Sequence, residues 1–398
     1  MSGFGPSGFD RPGPPCKDPL VRTGPSAIIE GRGCRPPGFN PAPGNLDKAP
    51  EPPLENAMEP DVPHHPSSPG ARLVLLRLSA LGDILRVLPA WANLRGAFPE
   101  VRFQAVVEDR HAFLLEPLPW LEPVIVKRSR LSSPAGFLRE CRRVAEEIRG
   151  ADASLDFHGI LKSALIPKLA GIPERWGDGV TKEGAGWLQT RPMPFQYQTR
   201  YDQALGLSRA FGERHGIQGL GAFRPVLQGV PLPDPGAVWG HGDKPKVVLV
   251  PGASRRGAIK RWPLRHWISL ALLLRDRFEL RWSLGPEEEA LRTWLPGETQ
   301  VPALPKLGLW ELAGALRQAD RVISPDTGLL HLAVVLGVPV LGIYGASDPV
   351  IAGLPEGAGE ILRTGIACSP CRERHCRRRQ CMEELLPEWV ASRLSAGA

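Results

Sequence analysis

The chain has 398 residues, 42% of them hydrophobic, enough to bury the cores of two domains. Lys and Arg exceed Asp and Glu by 49 − 42 = 7, which suits an anionic partner without choosing among phosphate, nucleic acid and a membrane surface. No apolar run reaches the roughly 18 uncharged residues of a membrane span, and the first residues lack the apolar core of a secretion signal, so the chain reads as cytoplasmic. Seven cysteines, four of them close to the C-terminus, do not look like a secreted disulfide framework.

Residues 1–70 stand apart. Runs such as Pro12-Gly13-Pro14-Pro15 and Pro36-Pro37-Gly38 carry neither helical nor strand periodicity and few large apolar side chains, so this stretch reads as a disordered extension. Order is expected from Ala71. The apolar run Arg72 to Leu78 reads as a strand, Ser79 to Asp83 as a small-residue turn, and Ile84 to Leu94 as a helix. Gly82 permits a tight turn, and Asp83 opens the helix. A carboxylate there has two readings: a cap on the helix dipole, or a base aimed into a cleft.

The alternation continues. Val101–Val107 and Pro123–Val126 read as strands, and the second runs into the basic stretch Lys127-Arg128-Ser129-Arg130. Phe137–Arg149 has amphipathic helical spacing. Ala153–Phe157 is a short strand that leads into His158-Gly159-Ile160-Leu161-Lys162-Ser163 and an apolar helix to Ala170. Strand-helix repetition of this kind indicates a doubly wound parallel sheet, an α/β fold. The Gly/Pro-rich zone from Gly216 to Pro245 breaks the pattern. The expected organisation is therefore an extension over 1–70, a first α/β domain over 71–225, a linker over 226–245 and a second α/β domain over 246–398.

The second unit restarts with a strand at Lys246–Val250, then Pro251-Gly252-Ala253 and Lys260-Arg261-Trp262-Pro263, a helix from His266 to Arg275, and a strand from Leu280 to Leu284 followed by Gly285-Pro286-Glu287-Glu288. Its clearest feature is Arg321–Ile323 as a strand, Ser324–Gly328 as a polar turn, Leu329–Leu336 as an apolar helix and Val338–Tyr344 as a buried strand. In such a β-α-β step the turn lies at the carboxyl edge of the sheet, where helix N–H groups can hold an anion. Asp326, Thr327 and Gly328 occupy the turn and His331 follows one helical turn later. Capping for Asp326 and Thr327, and core packing for His331, are the plainer alternatives.

Taken together, Leu78-Ser79-Ala80-Leu81-Gly82-Asp83, Asp156-Phe157-His158-Gly159-Ile160-Leu161-Lys162-Ser163, Pro251-Gly252-Ala253 with Lys260-Arg261-Trp262-Pro263, and Asp326-Thr327-Gly328 with His331 resemble glycosyltransferase family 9, which includes the ADP-heptose:lipopolysaccharide heptosyltransferases. The resemblance runs from about Ala71 to Val390. It implies a GT-B architecture, two Rossmann-like domains facing across a cleft, with the acceptor on the first and the nucleotide-sugar on the second. It further implies an inverting, metal-independent transfer without a cofactor, from ADP-heptose to a lipid-linked glycan at the cytoplasmic face of the inner membrane. Carried over position by position, Asp83 is the general base and Lys260 the cation against the diphosphate. Asp326, Thr327, Gly328 and His331 form the donor turn, and Glu287 or Glu288 the carboxylate near the ribose.

Each role has a physical basis. Inversion needs one carboxylate on the acceptor side of the anomeric carbon. Without a metal, the departing diphosphate must meet fixed cations and N–H dipoles. Lys127, Arg128, Arg130 and Lys162 are candidate acceptor-binding cations, with a solvated charge run as the alternative. His158 stands where many family members carry glutamine, and the loop before Lys260 is about one residue longer than in some, departures that bear on acceptor choice. Cys368, Cys371, Cys376 and Cys381 have a spacing that suits a structural metal or a redox pair. The arginines interleaved with them, Arg372, Arg374 and Arg377 to Arg379, could meet anionic headgroups. Two other readings stand beside this one: a different nucleotide-hexose donor, and a non-catalytic nucleotide-sugar-binding relative. A nucleic-acid binder would explain the net charge, but no recognised nucleic-acid motif is present.

Overall fold

The computed structural model describes residues 70–179, 183–194, 199–371 and 376–395, with the backbone of 28–30. The remainder of the proline-rich leader, and Arg372 and Arg374 of the tail, lie outside the described residues. The strands are β1 (Ile28–Glu30), β2 (Arg72–Leu76), β3 (Arg102–Glu108), β4 (Leu121–Val126), β5 (Ala153–Asp156), β6 (Glu174–Asp178), β7 (Arg191–Met193), β8 (Lys246–Leu249), β9 (Glu279–Trp282), β10 (Arg321–Pro325), β11 (Val340–Ile343) and β12 (Gly359–Arg363). The helices are α1 (Leu81–Ala97), α2 (Pro134–Glu147), α3 (Leu161–Leu169), α4 (Arg200–Arg214), α5 (Leu264–Leu274), α6 (Leu291–Thr299), α7 (Leu309–Arg317), α8 (Gly328–Leu336), α9 (Gln380–Glu383) and α10 (Pro387–Ser395).

Two six-stranded sheets result, and every described strand pairing in them is parallel. The reason is local: β2, β8, β10 and β11 are near-continuous apolar runs, the pattern of strands covered by helices on both faces. The N-terminal sheet has the order β4-β3-β2-β5-β6-β7, and the C-terminal sheet the order β1-β12-β11-β10-β8-β9. The first is the 3-2-1-4-5-6 winding of a dinucleotide fold. The second, counted from β8 to β12, is the 2-1-3-4-5 winding. In each, the crevice for a ligand opens at the carboxyl edge where the winding reverses. That point lies between β2 and β5 in one sheet and between β8 and β10 in the other.

The expected strands and helices appear with shifts of a few residues. Between β3 and β4 the chain makes a 3₁₀ turn at Asp109–Leu115. The sequence reading has no counterpart for β6, β7, α4, β12, α9 and α10, nor for β1, which falls within the stretch expected as a disordered extension. β6 reads Glu-Arg-Trp-Gly-Asp and β7 Arg-Pro-Met, too polar or too short to show alternation.

Each sheet has a core of its own on one face, around Val74, Val106 and Val144 in the first and around Leu249, Trp267 and Trp282 in the second, and a third core is shared. One cluster of buried side chains runs from Leu73 and Leu75 under β2, through Trp91 of α1 and Tyr201 and Phe211 of α4, to Leu330, Val334 and Val335 of α8. Leu227, Val238 and Trp239, in the stretch expected as a plain linker, join the same cluster. Burying each such side chain contributes about 1.5–3 kcal/mol, so this cluster does more than connect the sheets: it fixes how they meet.

Candidate active site where two helix N-termini meet

α1 and α8 each start at the carboxyl edge of the strand that precedes them, and their first turns touch. A Cβ added to Gly328 would lie 2.2 Å from Leu81 Cδ2, and one added to Gly82 would lie 3.4 Å from both Gly328 Cα and His331 Cδ2. The bare Cα of Gly328 gives the Leu81 side chain its place between the two helix starts, whereas a Cβ on Gly82 would meet only ordinary van der Waals contacts. Neither helix start is closed by its own side chains: Ala80 and Thr327 are the N-caps, and neither provides a side-chain cap bond. Asp83 and Asp326 therefore do not cap, and their carboxylates go elsewhere.

Asp83, on the third residue of α1, is ringed by three guanidiniums. Arg77 Nη2 lies 2.9 Å from Oδ2, while Arg86 Nη1 at 2.9 Å and Arg200 Nη1 at 2.5 Å share Oδ1. Burial pushes the carboxyl up, but Arg77, Arg200 and Arg86 outweigh it and hold Asp83 well below the usual carboxylate range. Arg77 is pinned from behind, its Nη1 donating to the Phe157 carbonyl at 2.7 Å.

Asp326 is more enclosed and fully engaged. Oδ1 accepts from Arg86 Nη2 at 3.0 Å, and Oδ2 accepts from Lys260 Nζ at 2.6 Å and Ser347 Oγ at 2.7 Å. Lys260 also reaches the Asp326 carbonyl at 3.3 Å. Burial again opposes ionisation, but the His331, Lys260 and Arg86 contacts hold the carboxyl far below its ordinary value. His331 is buried, and its pKa is lowered to about 4 by desolvation and by Arg86. A neutral ring with the proton on Nδ1 satisfies both of its shorter contacts: Nε2 accepts from Arg86 Nη2 at 2.6 Å, and Nδ1 donates to Tyr201 Oη at 3.1 Å. The longer Nε2 approach to Asp326 at 3.3 Å is then two acceptors facing each other across Arg86.

Asp83, Arg86, Asp326 and Lys260 thus form one continuous chain of charges from the N-terminal sheet's crevice to the C-terminal sheet's crevice. Asp83 and Lys260 lie at its two ends, separated by Arg86 and Asp326.

A cavity of about 520 Å³ opens on the Asp83 side, lined by Arg77, Asp83, Arg86, Asp156, His158 and Arg200 among others. Asp156 at the end of β5 is raised to about 6 by burial, although it accepts from Ser163 Oγ and the amides of His158 and Gly159. His158 is lowered to about 3 by burial and by Arg77, and its Nδ1 accepts from the Leu78 amide at 3.3 Å. The motif around Asp156 therefore builds the cavity wall.

The other predicted residues fall in three places. Thr327 Oγ1 turns to Ser324 Oγ at 3.0 Å. Glu287 and Glu288 follow β9, and each has an oxygen 3.4 Å from Arg261 Nη2. The Glu287 side chain is 37% exposed and that of Glu288 10%, the latter lying over Gly252, where any Cβ would collide with its carboxylate at 2.5 Å. Lys127, Arg128, Arg130 and Lys162 do not line the cavity. Arg128 and, at 3.9 Å, Lys162 pair with buried Glu108, and Arg130 with buried Glu140, so these cations are held by buried carboxylates. Among the described residues, no three His, Cys, Asp or Glu side chains are grouped as a metal site. Cys381 is nonetheless pushed up to about 11 by burial and by the nearby Cys368, Cys371 and Cys376 sulfurs.

Arg77, Arg86, Arg200, Tyr201 and Ser347 escaped the sequence reading. Arg86 could have been found, since it lies three residues after Asp83 on one helix and faces the same way. Arg200 offers no such signal, because its contact with Asp83 spans 117 residues.

Comparison with known proteins agrees with this geometry. Residues 226–382 match the family model for glycosyltransferase family 9 (heptosyltransferase). Lipopolysaccharide heptosyltransferase 1 of Escherichia coli K12 is 31% identical over 301 residues, which cover 71% of this chain and 90% of that protein. The Pseudomonas aeruginosa protein of the same name is 28% identical over 359 residues, covering 82% of this chain and 97% of its own. The solved structure of E. coli heptosyltransferase WaaC with ADP superposes with a TM-score of 0.64 at 25% identity, covering 82% of this chain and all of that one.

Proposed function

The chain belongs to glycosyltransferase family 9, the heptosyltransferases, and from that premise we propose that it moves a heptose from ADP-heptose to a lipopolysaccharide-core acceptor with inversion and without a metal ion. Support for the donor comes from the relatives' names and from ADP in the related WaaC structure. In this reading residues 71–225 hold the acceptor, 246–398 hold the donor, and 226–245 join them.

The observation that carries the mechanism is the charge chain between the crevices. Asp83 lines the cavity and is ionised, as a general base must be. It takes the proton of the acceptor hydroxyl as that oxygen attacks the anomeric carbon from the face opposite the leaving diphosphate. Negative charge building on the diphosphate is met by Lys260 and by the uncapped start of α8 at Thr327 and Gly328. Asp326 carries a negative charge and would repel a phosphate, so its part is to hold Lys260, Arg86 and Ser347 in place. His331 accepts from Arg86 through Nε2 and donates to Tyr201 through Nδ1, so it holds the guanidinium rather than the carboxylate. Between Glu287 and Glu288, Glu287 has the more exposed carboxylate to turn toward a ribose hydroxyl.

On the acceptor side, the cavity rim combines cations with an exposed aromatic. Glu108 pairs with Arg110, Arg128 and, at 3.9 Å, Lys162. Beyond them, Leu161 is 42% and Trp187 93% exposed. A lipid-linked acceptor would bring an anionic bilayer to this rim, where an indole and guanidiniums both gain.

The test is transfer from ADP-heptose to a heptose-free lipopolysaccharide core in chelator, with the product linkage read by NMR. An inverted linkage and undiminished turnover are expected. A retained configuration would refute the single-displacement mechanism, a metal requirement would refute metal independence, and faster transfer from another nucleotide-hexose would reassign the donor.

A further inference from the structure

Arg86 has a place that the transfer mechanism above leaves unused. Its side chain is 8% exposed, and a guanidinium so enclosed is tolerated only when paired. It is paired twice, with one carboxylate from each sheet: Nη1 holds Asp83 Oδ1 at 2.9 Å and Nη2 holds Asp326 Oδ1 at 3.0 Å. The same Nη2 is 2.6 Å from His331 Nε2, and Nε lacks a hydrogen-bond partner. Asp326 in turn grips Lys260. No other described ion pair reaches both Asp83 and the α8 turn.

This arrangement poses a chemical problem for Asp83. With Oδ2 engaged by Arg77 and Oδ1 shared by Arg86 and Arg200, three of the carboxylate's roughly four acceptor sites are taken, and Oδ1 can receive a hydroxyl proton only when one of its two guanidiniums withdraws. Arg77 is anchored to the Phe157 carbonyl and Arg200 is on the acceptor side, so Arg86 is the one that also senses the donor turn.

We propose that Arg86 is a positioning residue that ties the aim of the Asp83 carboxylate to the donor turn, so that an anion arriving beside Lys260 draws the shared guanidinium toward itself and clears Asp83 Oδ1. The inference rests on Asp83 being the base. It supplies an order of events: donor first, then a competent base, which limits wasteful proton abstraction before the sugar is in place.

The groups facing Asp83 are Arg77 from the end of β2, Arg200 from α4, Asp156 and His158 from the turn after β5, and Asp326 and His331 from α8. Arg86→Gln removes one cation from this set, so the acid limb of the kcat/KM profile is expected to move to higher pH. Misplacing the base should lower kcat about a hundredfold. ADP affinity, read by calorimetry, should fall about tenfold in Arg86→Gln and stay within about twofold in Asp83→Asn, because only Arg86 reaches the donor side. Arg86→Lys, whose ammonium cannot span both carboxylates, should keep the fold and show a partial form of both effects. An Arg86→Gln enzyme with the wild-type acid limb, or with wild-type ADP affinity, overturns the proposal even if Asp83→Asn is inactive. An Asp83→Asn enzyme as fast as wild type removes the base reading itself and this inference with it.

Discussion

The first turns of α1 and α8 are the same device built twice, yet their aspartates have opposite circumstances. Each turn follows a central parallel strand, starts a helix without a side-chain cap, and carries a carboxylate within electrostatic reach of Arg86. Asp83 keeps 20% of its side chain exposed and borders a cavity, whereas Asp326 keeps 6% and has both oxygens filled from inside the protein. The difference teaches that position in a winding pattern brings a carboxylate to the crevice, but its surroundings decide whether it faces an open cavity or is taken up by neighbouring side chains.

Replacing the two aspartates in turn tests that contrast most severely. Asp83→Asn should cut turnover by about a thousandfold, as expected for loss of a general base with its charge, and should cost less stability than the second replacement, because Asp83 is the more exposed of the two counter-ions. Asp326→Asn should also lose activity, but together with stability, by about 3–5 kcal/mol, because Arg86 and Lys260 would lose a buried counter-ion. Equal stability of the two variants would erase the distinction, and thermal melts beside initial rates suffice to see it.

Acid provides a second, smaller probe. His331 and His158 are lowered by burial to about 4 and about 3 from an ordinary 6.5, so the stability they contribute is complete above pH 6.5 and is lost as pH falls toward those values. Asp156 runs the other way: raised to about 6 by burial, it favours the folded state at low pH, a contribution lost as pH rises from 3.8 through 6. Between pH 4 and 6 the three leave 2 − 1 = 1 proton in favour of unfolding, a slope of about 1.4 kcal/mol per pH unit. Denaturant titrations at pH 6 and pH 4.5 should show it, and His331→Phe should flatten it. Below pH 3.8, Asp83 and Asp326 add their own loss, since both are depressed.

The contact between the turns can be loosened directly. Gly328→Val would drive a side chain into Leu81 and push the helix starts apart, lowering turnover about tenfold through misalignment while ADP still binds. Unchanged turnover would mean that the glycine contact does not set the distance between the crevices. The smallest effect is expected at the rim. Trp187→Glu should weaken sedimentation with vesicles of anionic phospholipid severalfold and leave transfer to a short, water-soluble acceptor as it was. Vesicle binding as strong as that of wild type would detach this rim from any membrane role.

Much of this was legible in the chain. The apolar runs at Leu73–Leu76, Val247–Leu249 and Val322–Ile323, each ending in a small or polar turn before a helix, determined parallel α/β winding, because only strands buried on both faces have that pattern. The turns themselves placed Asp83, Lys260 and Asp326 at carboxyl edges. The sequence could not give the partners of those residues. Arg200 comes to Asp83 across 117 residues, and Arg86 to Asp326 across 240, distances over which neither period nor propensity carries information. Asp326 read as a ligand contact and is engaged by Lys260, Arg86 and Ser347; Arg128 read as an acceptor contact or a free charge and is paired with a buried glutamate. Local order follows from short-range sterics and apolar spacing, which a sequence displays. Which charges share a buried space is decided only when two sheets close around one core.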